Sequence, residues 1–257
     1  MTTEIQVPVD KRGDRVRDMF AAIAPRYDLL NRLLSFRIDQ RWRRATMQSV
    51  PADDSGRPIL DVCTGTGDLA LLYAKRWPAT PVVGVDFCEP MLERAKIKAR
   101  RARLSVDFRV ADALDLPFDD ETFQLTTIAF GLRNLADSEA GLRELKRVTA
   151  KGGRVAVLEF STPSNRFLRS GYLAYFQRIL PWIGQRVAPN KNSAYEYLPA
   201  SVLQFAEGPA LVETMERAGL EDVSTKSFTF GVATLYVGRV PVMGPPQSAA
   251  HTSRGMA

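Results

Sequence analysis

"LDVCTGTGDLA", residues 60–70, joins a short apolar run to a helical one through Gly65 and Gly67, with Ala70 completing a G-x-G-x-x-A spacing. The preceding "PILDVC" reads as a strand, and residues 68–77 read as the helix that follows. A glycine turn between strand and helix lets backbone approach a ligand closely, because no Cβ stands in the way, at the C-terminal edge of a sheet. The spacing alone fits either a dinucleotide or S-adenosylmethionine.

Outward from this loop the pattern alternates. "PVVGVD" is a strand, residues 90–102 a helix, "SVDFRV" and "FQLTTIAF" are strands, 138–149 a helix and "GRVAVLEF" a strand. Strands alternating with helical segments predict an α/β fold, an open and mostly parallel sheet with helices on both faces. "FTFGVATLYVGRV" alternates around Gly231 like a final strand or hairpin. Residues 15–50 have helical spacing, with Met19, Phe20 and Ile23 leading into "APRYDLLNRLLSF", and are expected to form an N-terminal cap on a domain spanning 15–239. The stretch 161–200 breaks the alternation and is read as a lid-like insertion over the ligand edge. Residues 1–14 and 240–257 are expected to be disordered tails.

Composition narrows the chemistry. Of 257 residues, 45% are apolar and 25% charged, as in a soluble globular domain. The two cysteines, Cys63 and Cys88, are too few for a disulfide framework, and they read as small buried thiols in a cytoplasmic protein. No leader or membrane-spanning run is visible. The single histidine, His251, lies in the C-terminal tail, so histidine bases, triads and metal sites are not expected. The net charge of +6 concentrates in "RWRR" (41–44) and in 161–195, which has no Asp or Glu. Such regions suit nucleic acid, an anionic membrane surface, or a merely solvated basic face.

Acidic residues separate the two cofactors. Asp68 stands at the helix N-terminus, where a dinucleotide would place its pyrophosphate. A carboxylate there repels phosphate but tolerates the cationic end of S-adenosylmethionine. Asp61 adds a second acid suited to the methionine ammonium. Asp86, about 20 residues beyond the loop at a strand end, can hold ribose hydroxyls. Asp112 of "VADALDLPF" can hold the adenine amino group or cap its own loop. Asp68 could serve simply as a helix cap, and Asp86 with Glu89 resembles a capping box. Neither a P-loop lysine nor a Tyr-x-x-x-Lys pair is present. These residues favour S-adenosylmethionine, with a nicotinamide oxidoreductase as the rival enzyme and an RNA-binding protein on a decayed fold as the rival class.

"AFGLRNLAD" (129–137) then places Arg133 and Asn134 at the end of a buried strand. Together with "MFAAIAPRYDLLNRLLSFRIDQRWR", "VDFCEPML", "ALDLPF", "LEFS", "LPWIGQ", "AYEYLPASV" and "FTFGVATLYVG", it resembles the C-methyltransferases of ubiquinone and menaquinone biosynthesis over residues 15–238. The resemblance implies a seven-stranded Rossmann-like S-adenosylmethionine-dependent methyltransferase fold. It also implies methyl transfer to carbon on a polyprenylated quinol, as from demethylmenaquinol to menaquinol. By position it puts cofactor contacts on Thr66, Asp86, Asp112, Ala113 and Ala129, beside Asp61, Gly65 and Gly67 of the loop. Ala129 replaces a serine of some members, and Cys63 and Thr64 replace smaller residues. For catalysis it suggests Asp68 as a base through water, Arg133 to orient that water or stabilise an oxyanion, and Asn134 as a donor. The alternative for Arg133 is a structural pair with Asp28 or Glu159. Tyr27, Tyr195 and Tyr197 are candidates for the ring pocket, against a simple packing role. A lipid-soluble substrate recasts 164–191 as an interfacial segment, with attachment to the inner face of an anionic membrane, no nucleic-acid partner, and a homodimer admissible.

Overall fold

The computed structural model describes residues 13–175 and 194–242. Seven strands form one sheet in the order β3-β2-β1-β4-β5-β7-β6. They are β1 (Ile59–Val62), β2 (Val82–Asp86), β3 (Asp107–Val110), β4 (Phe123–Ala129), β5 (Thr149–Phe160), β6 (Glu221–Phe228) and β7 (Ala233–Arg239). The first five pair in parallel, and β7 runs antiparallel between β5 and β6. β1 is flanked by β2 and β4, so the chain order reverses there and a crevice opens beyond their carboxyl ends. Every residue of β1 and β2 is buried, as strands covered on both faces must be.

The hairpin expected around Gly231 is β6–β7, turned by a short 3-10 segment in which Phe230 has φ +56° and Gly231 +91°. β6 begins at Glu221, earlier than its pattern suggests, because "EDVSTKSF" is a largely exposed, polar edge strand without apolar alternation. β5 likewise begins at Thr149 rather than at Gly153. There the chain kinks where a Cβ on Gly153 would lie 2.7 Å from the Ala150 carbonyl oxygen.

The N-terminal cap is three helices, α1 (Gly13–Ile23), α2 (Tyr27–Leu34) and α3 (Ile38–Ser49). α1 starts inside the stretch expected to be tail. Pro25 breaks α1 from α2, since its ring cannot continue the hydrogen-bond ladder, and Phe36 and Arg37 at positive φ turn α2 into α3. Val16, Met19 and Ile23 pack on Cys88 and Met91 at the start of α5 (Glu89–Ala102). Burying each such side chain is worth about 1.5–3 kcal/mol, enough to seat the cap. α4 (Asp68–Arg76) and α6 (Ser138–Val148) complete the crossovers. In the expected insertion, α7 (Arg166–Ala174) and α8 (Ala194–Gln204) are described, and "LPWIGQ" lies outside the described residues. α9 (Pro209–Arg217) precedes β6.

Candidate active site

After β1 the chain turns through Cys63 at φ +52°, Gly65 at +55° and Gly67 at +80° before α4 begins. The two glycines do different work. A Cβ on Gly65 would meet nothing within 4 Å, so this position opens onto the crevice. A Cβ on Gly67 would lie 2.9 Å from Phe108 and 3.0 Å from Ala95, and the Gly67 N–H already donates to Thr64. Gly67 lacks a Cβ where the loop packs against β3 and α5, and it is not among the residues that line the crevice.

Asp86 closes the loop from the next strand. One carboxylate oxygen accepts the Gly65 N–H at 2.8 Å and the other the Cys88 N–H at 2.9 Å. No capping box with Glu89 forms, since α5 has no side-chain cap. Burial pushes the Asp86 carboxyl up to about 6, against the opposing pull of its backbone donors. Beside it lies a crevice of about 300 Å³, lined among others by Gly65, Asp112, Ala113, Ala129 and Asn134 and roofed by Val16 and Phe20 of α1. Asp112 both lines this crevice and caps its own turn, accepting the Leu114 N–H at 2.9 Å.

A small adjoining pocket of about 20 Å³ is lined by Asp61, Thr66, Asp68, Arg43 and Tyr27. Asp61 is buried and accepts the hydroxyls of Thr64 and Thr127, each at 2.6 Å; burial still holds its carboxyl above the usual range. Asp68 is not a side-chain cap. It pairs with Lys98, which also reaches Asp28 at 3.2 Å and the Thr66 hydroxyl at 3.0 Å. Thr66 in turn donates to Asp28 at 2.6 Å, so this cluster stitches α2 to the glycine loop. Burial pushes the Asp68 carboxyl up, but the positive charges of Arg43 and Lys98 outweigh it and leave the group below the usual range.

The donor set fits S-adenosylmethionine. Asp86 offers acceptors where ribose hydroxyls would lie, and Asp61 and Asp68 offer negative charge where an ammonium and a sulfonium would lie. A pyrophosphate would meet the Asp68 carboxylate at the N-terminus of α4 instead.

A second, mostly apolar cavity of about 390 Å³ adjoins the crevice and shares Phe20, Tyr27 and Phe130 with it. Its wall is assembled from distant segments. The Trp42 indole donates to Thr229 at 2.9 Å, joining α3 to the β6–β7 turn, and the Tyr175 hydroxyl donates to the Leu34 carbonyl at 2.6 Å. Phe130 and Phe160 pack with ring centroids 4.6 Å apart. Tyr27 lines all three spaces, and burial raises its phenol above the usual range.

Two buried ion pairs line the apolar cavity. Arg133, 5% exposed, binds Glu159 at 2.8 Å and the Phe130 carbonyl at 2.6 Å through Nη1, and sits over the Phe160 ring. Its Nε is buried without a hydrogen-bond partner among the described residues, an orphan donor. Arg43 binds Asp39 at 2.9 Å, with both side chains 9% exposed, and Ser35 donates to Asp39 at 2.6 Å.

The expected pair of Arg133 with Glu159 thus exists, but Lys98, not Arg133, tethers Asp28 and the cap. Asn134 lines the cofactor crevice and accepts the Tyr197 hydroxyl at 3.2 Å, while its amide donates weakly to Phe130 at 3.4 Å. Tyr197 lines the apolar cavity; the Tyr195 side chain lies outside the described residues. Three participants escape the sequence reading, Asp39, Arg43 and Lys98. "RWRR" reads as one basic face, yet Arg41 and Arg44 are exposed whereas Trp42 and Arg43 point inward. The spacing of Asp39 to Arg43, one helical turn, was the available signal.

Strand order and a glycine turn opposite a strand-end acid define an S-adenosylmethionine-dependent methyltransferase. Solved structures agree on the fold. The [4+2]-cyclase SpnF matches with TM-score 0.69 at 17% identity, over 92% of this chain and 99% of that one. Haemonchus contortus phosphoethanolamine N-methyltransferase 2, solved with S-adenosyl-L-methionine, matches with TM-score 0.55 at 14% identity, over 77% of this chain and 52% of that one. Sequence goes further. The family model described as "ubiE/COQ5 methyltransferase family" matches residues 8–239. The demethylmenaquinone methyltransferase of Thermus thermophilus is 50% identical, over 87% of this chain and 100% of that one. A Geobacter ubiquinone/menaquinone biosynthesis C-methyltransferase, UbiE, is 45% identical, over 90% of this chain and 98% of that one. The chain belongs to the ubiE/COQ5 methyltransferase family. It is an S-adenosylmethionine-dependent C-methyltransferase of quinone biosynthesis, and the nicotinamide and RNA-binding alternatives find no support.

Proposed function

We propose that this chain methylates a ring carbon of a polyprenylated quinol, demethylmenaquinol being the substrate its relatives favour. One observation carries the reading: an apolar cavity large enough for a ring and the first part of a tail meets the cofactor crevice at Tyr27 and Phe130, with Arg133 among the residues that line it. When bound, S-adenosylmethionine supplies the electrophilic methyl. Asp86 would hold its ribose, Asp61 its ammonium, and Asp112 with Ala113 its adenine, along Gly65, Thr66 and Ala129.

The ring carbon becomes nucleophilic when the hydroxyl beside it ionises. The guanidinium of Arg133 offers donors and no acceptor, so it stabilises the aryloxide rather than taking the proton. Glu159 and the Phe130 carbonyl fix Nη1 and so hold the guanidinium charge beside the cavity that would take that oxygen. Asn134 and Tyr197 form the seam between cofactor and ring. Asp68, paired with Lys98 and held below the usual range, serves better as a constant negative charge than as a base. The hydroxyl proton therefore passes to water, as does the ring proton after methyl transfer.

The rim of the cavity favours a lipid surface. Phe36, which lines the cavity, is 73% exposed, and Phe230 and Phe167, on segments that bring Thr229 and Tyr172 to it, are 81% and 86% exposed, with Arg37, Arg166 and Arg169 beside them in sequence. Such a rim suits peripheral attachment to an anionic membrane from the cytoplasmic side, where the substrate dissolves. Among the described residues no helix is long and apolar enough to cross a membrane. The test is quinone mass spectrometry of cells with and without the protein. A quinone lacking one ring methyl should accumulate in its absence, and an unchanged quinone pool rejects the reading.

A further inference from the structure

Burying an ion pair from a single helix turn beneath an apolar cavity is costly, because both charges lose water. Asp39 and Arg43 do so with side chains 9% exposed, and both line the cavity. α3 has other anchors, Trp42 against Thr229 and Met47 in the core. The described hydrogen bonds of Arg43 run through Nη1, to Asp39 alone, and Arg43 stands 5.0 Å from the centroid of Phe130. Arg133 stands 5.2 Å from the centroid of Phe160, and those two rings adjoin at 4.6 Å. Two guanidiniums thus flank one aromatic wall. A 1,4-dihydroxyarene carries its oxygens on opposite edges, so a ring laid along this wall presents one oxygen to each.

We infer that the Asp39–Arg43 pair grips the second oxygen of the quinol, the one not adjacent to the methylated carbon, while Arg133 takes the first. This rests on the quinol reading above. Asp39 is a positioning residue: it neutralises Arg43 and, with Ser35, fixes its fork. The second oxygen does not activate the ring carbon that is methylated, so this grip governs binding and choice of substrate rather than the chemical step. It selects the reduced dihydroxy ring over a phenol of equal size.

The test compares a short-tailed 1,4-dihydroxynaphthalene with the matching 1-naphthol lacking the far hydroxyl. The wild-type enzyme should prefer the diol by at least about tenfold in kcat/KM, since a site built to bind a hydroxyl discriminates strongly against its absence. Arg43→Gln should bring that ratio to within about threefold of unity, through a raised KM for the diol. Asp39→Asn should move it the same way by less. The ratio is insensitive to the fraction of folded enzyme, so a purely structural role, which lowers both activities together, leaves it unchanged. An Arg43→Gln enzyme that keeps the wild-type ratio overturns the inference alone. A wild-type enzyme that binds S-adenosylmethionine yet methylates no diol overturns the quinol reading and the inference with it.

Discussion

The cofactor crevice and the apolar cavity meet at Tyr27 and Phe130 but are built by opposite means. The crevice is made chiefly by segments at the carboxyl ends of successive strands, each contributing residues close in sequence: 63–65 after β1, 86–87 at the end of β2, 111–114 after β3 and 129–136 at the end of β4, under the roof of α1. The cavity is made by segments that meet only through tertiary packing, from α1 to the β6–β7 turn. Crevice residues depend on the sheet, whose core is fully buried. Cavity residues depend on helix seating and on two buried ion pairs. The difference teaches that damage at one site should leave a distinct kinetic signature from damage at the other.

Arg133→Lys is the sharpest way to break that distinction. Lysine keeps the charge but loses the planar fork that serves Glu159, Phe130 and a ligand oxygen at once. kcat should fall on the order of a hundredfold or more while cofactor affinity barely moves. Steady-state kinetics and calorimetry on one preparation check this. Turnover within a few-fold of wild type would leave Arg133 a structural partner of Glu159.

On the crevice side, Asp86→Ala should weaken S-adenosylmethionine binding by at least about tenfold, from the loss of charge-assisted hydrogen bonds worth about 1.5–3 kcal/mol each. Calorimetry should show this with the quinol-side residues untouched, and unchanged affinity would remove Asp86 from the ribose. A milder perturbation at the same residue is pH. The Asp86 carboxyl is raised to about 6 in the folded protein, so it is increasingly protonated below that value and loses its acceptor strength toward hydroxyls. Cofactor affinity should therefore decline as pH drops through about 6 and plateau above about 7. The sign is opposite for the stability of the free protein. Folding favours the protonated carboxyl, so this group's contribution to stability is present at low pH and is lost as pH rises through about 6. A binding profile flat from pH 5 to 8 would contradict the assignment.

The smallest effect is expected at the rim. Replacing Arg166 and Arg169 with Gln, together with Arg178 outside the described residues, should reduce binding to anionic vesicles and its salt sensitivity. Activity on a soluble short-tailed quinol should be spared. Equal loss on both substrates would assign these arginines to the cavity itself.

The crevice was legible because its signals are local: Gly65 needs positive φ, Asp86 ends a strand, and alternation fixes the strand order nearby. Arg133 was legible as a misplaced charge at a buried strand end, though not its orphan Nε. Arg43 was not, since nothing in "RWRR" distinguishes the arginine that turns inward; that depends on which face of α3 packs on Phe130. Lys98 was hidden for the same reason, being one of many cations on α5. The packing role of Gly67 was hidden because a glycine missing its Cβ for packing and one missing it for a ligand look alike in sequence. The start of β6 escaped because a polar edge strand has no apolar period.

The turn that carries Arg133 leans on the glycine loop at one atom. A Cβ on Gly131 would lie 2.5 Å from the Cys63 Cβ, while Cys63 itself occupies a left-handed conformation at φ +52° that favours glycine. The two positions therefore share space for a single Cβ. Gly131→Ala alone should be poorly tolerated, Cys63→Gly alone nearly harmless, and the two together close to wild type. In evolutionary terms this is sign epistasis between the loop that cradles the methyl donor and the turn that presents the arginine: either may carry a side chain, and the history of one decides which substitutions the other can accept.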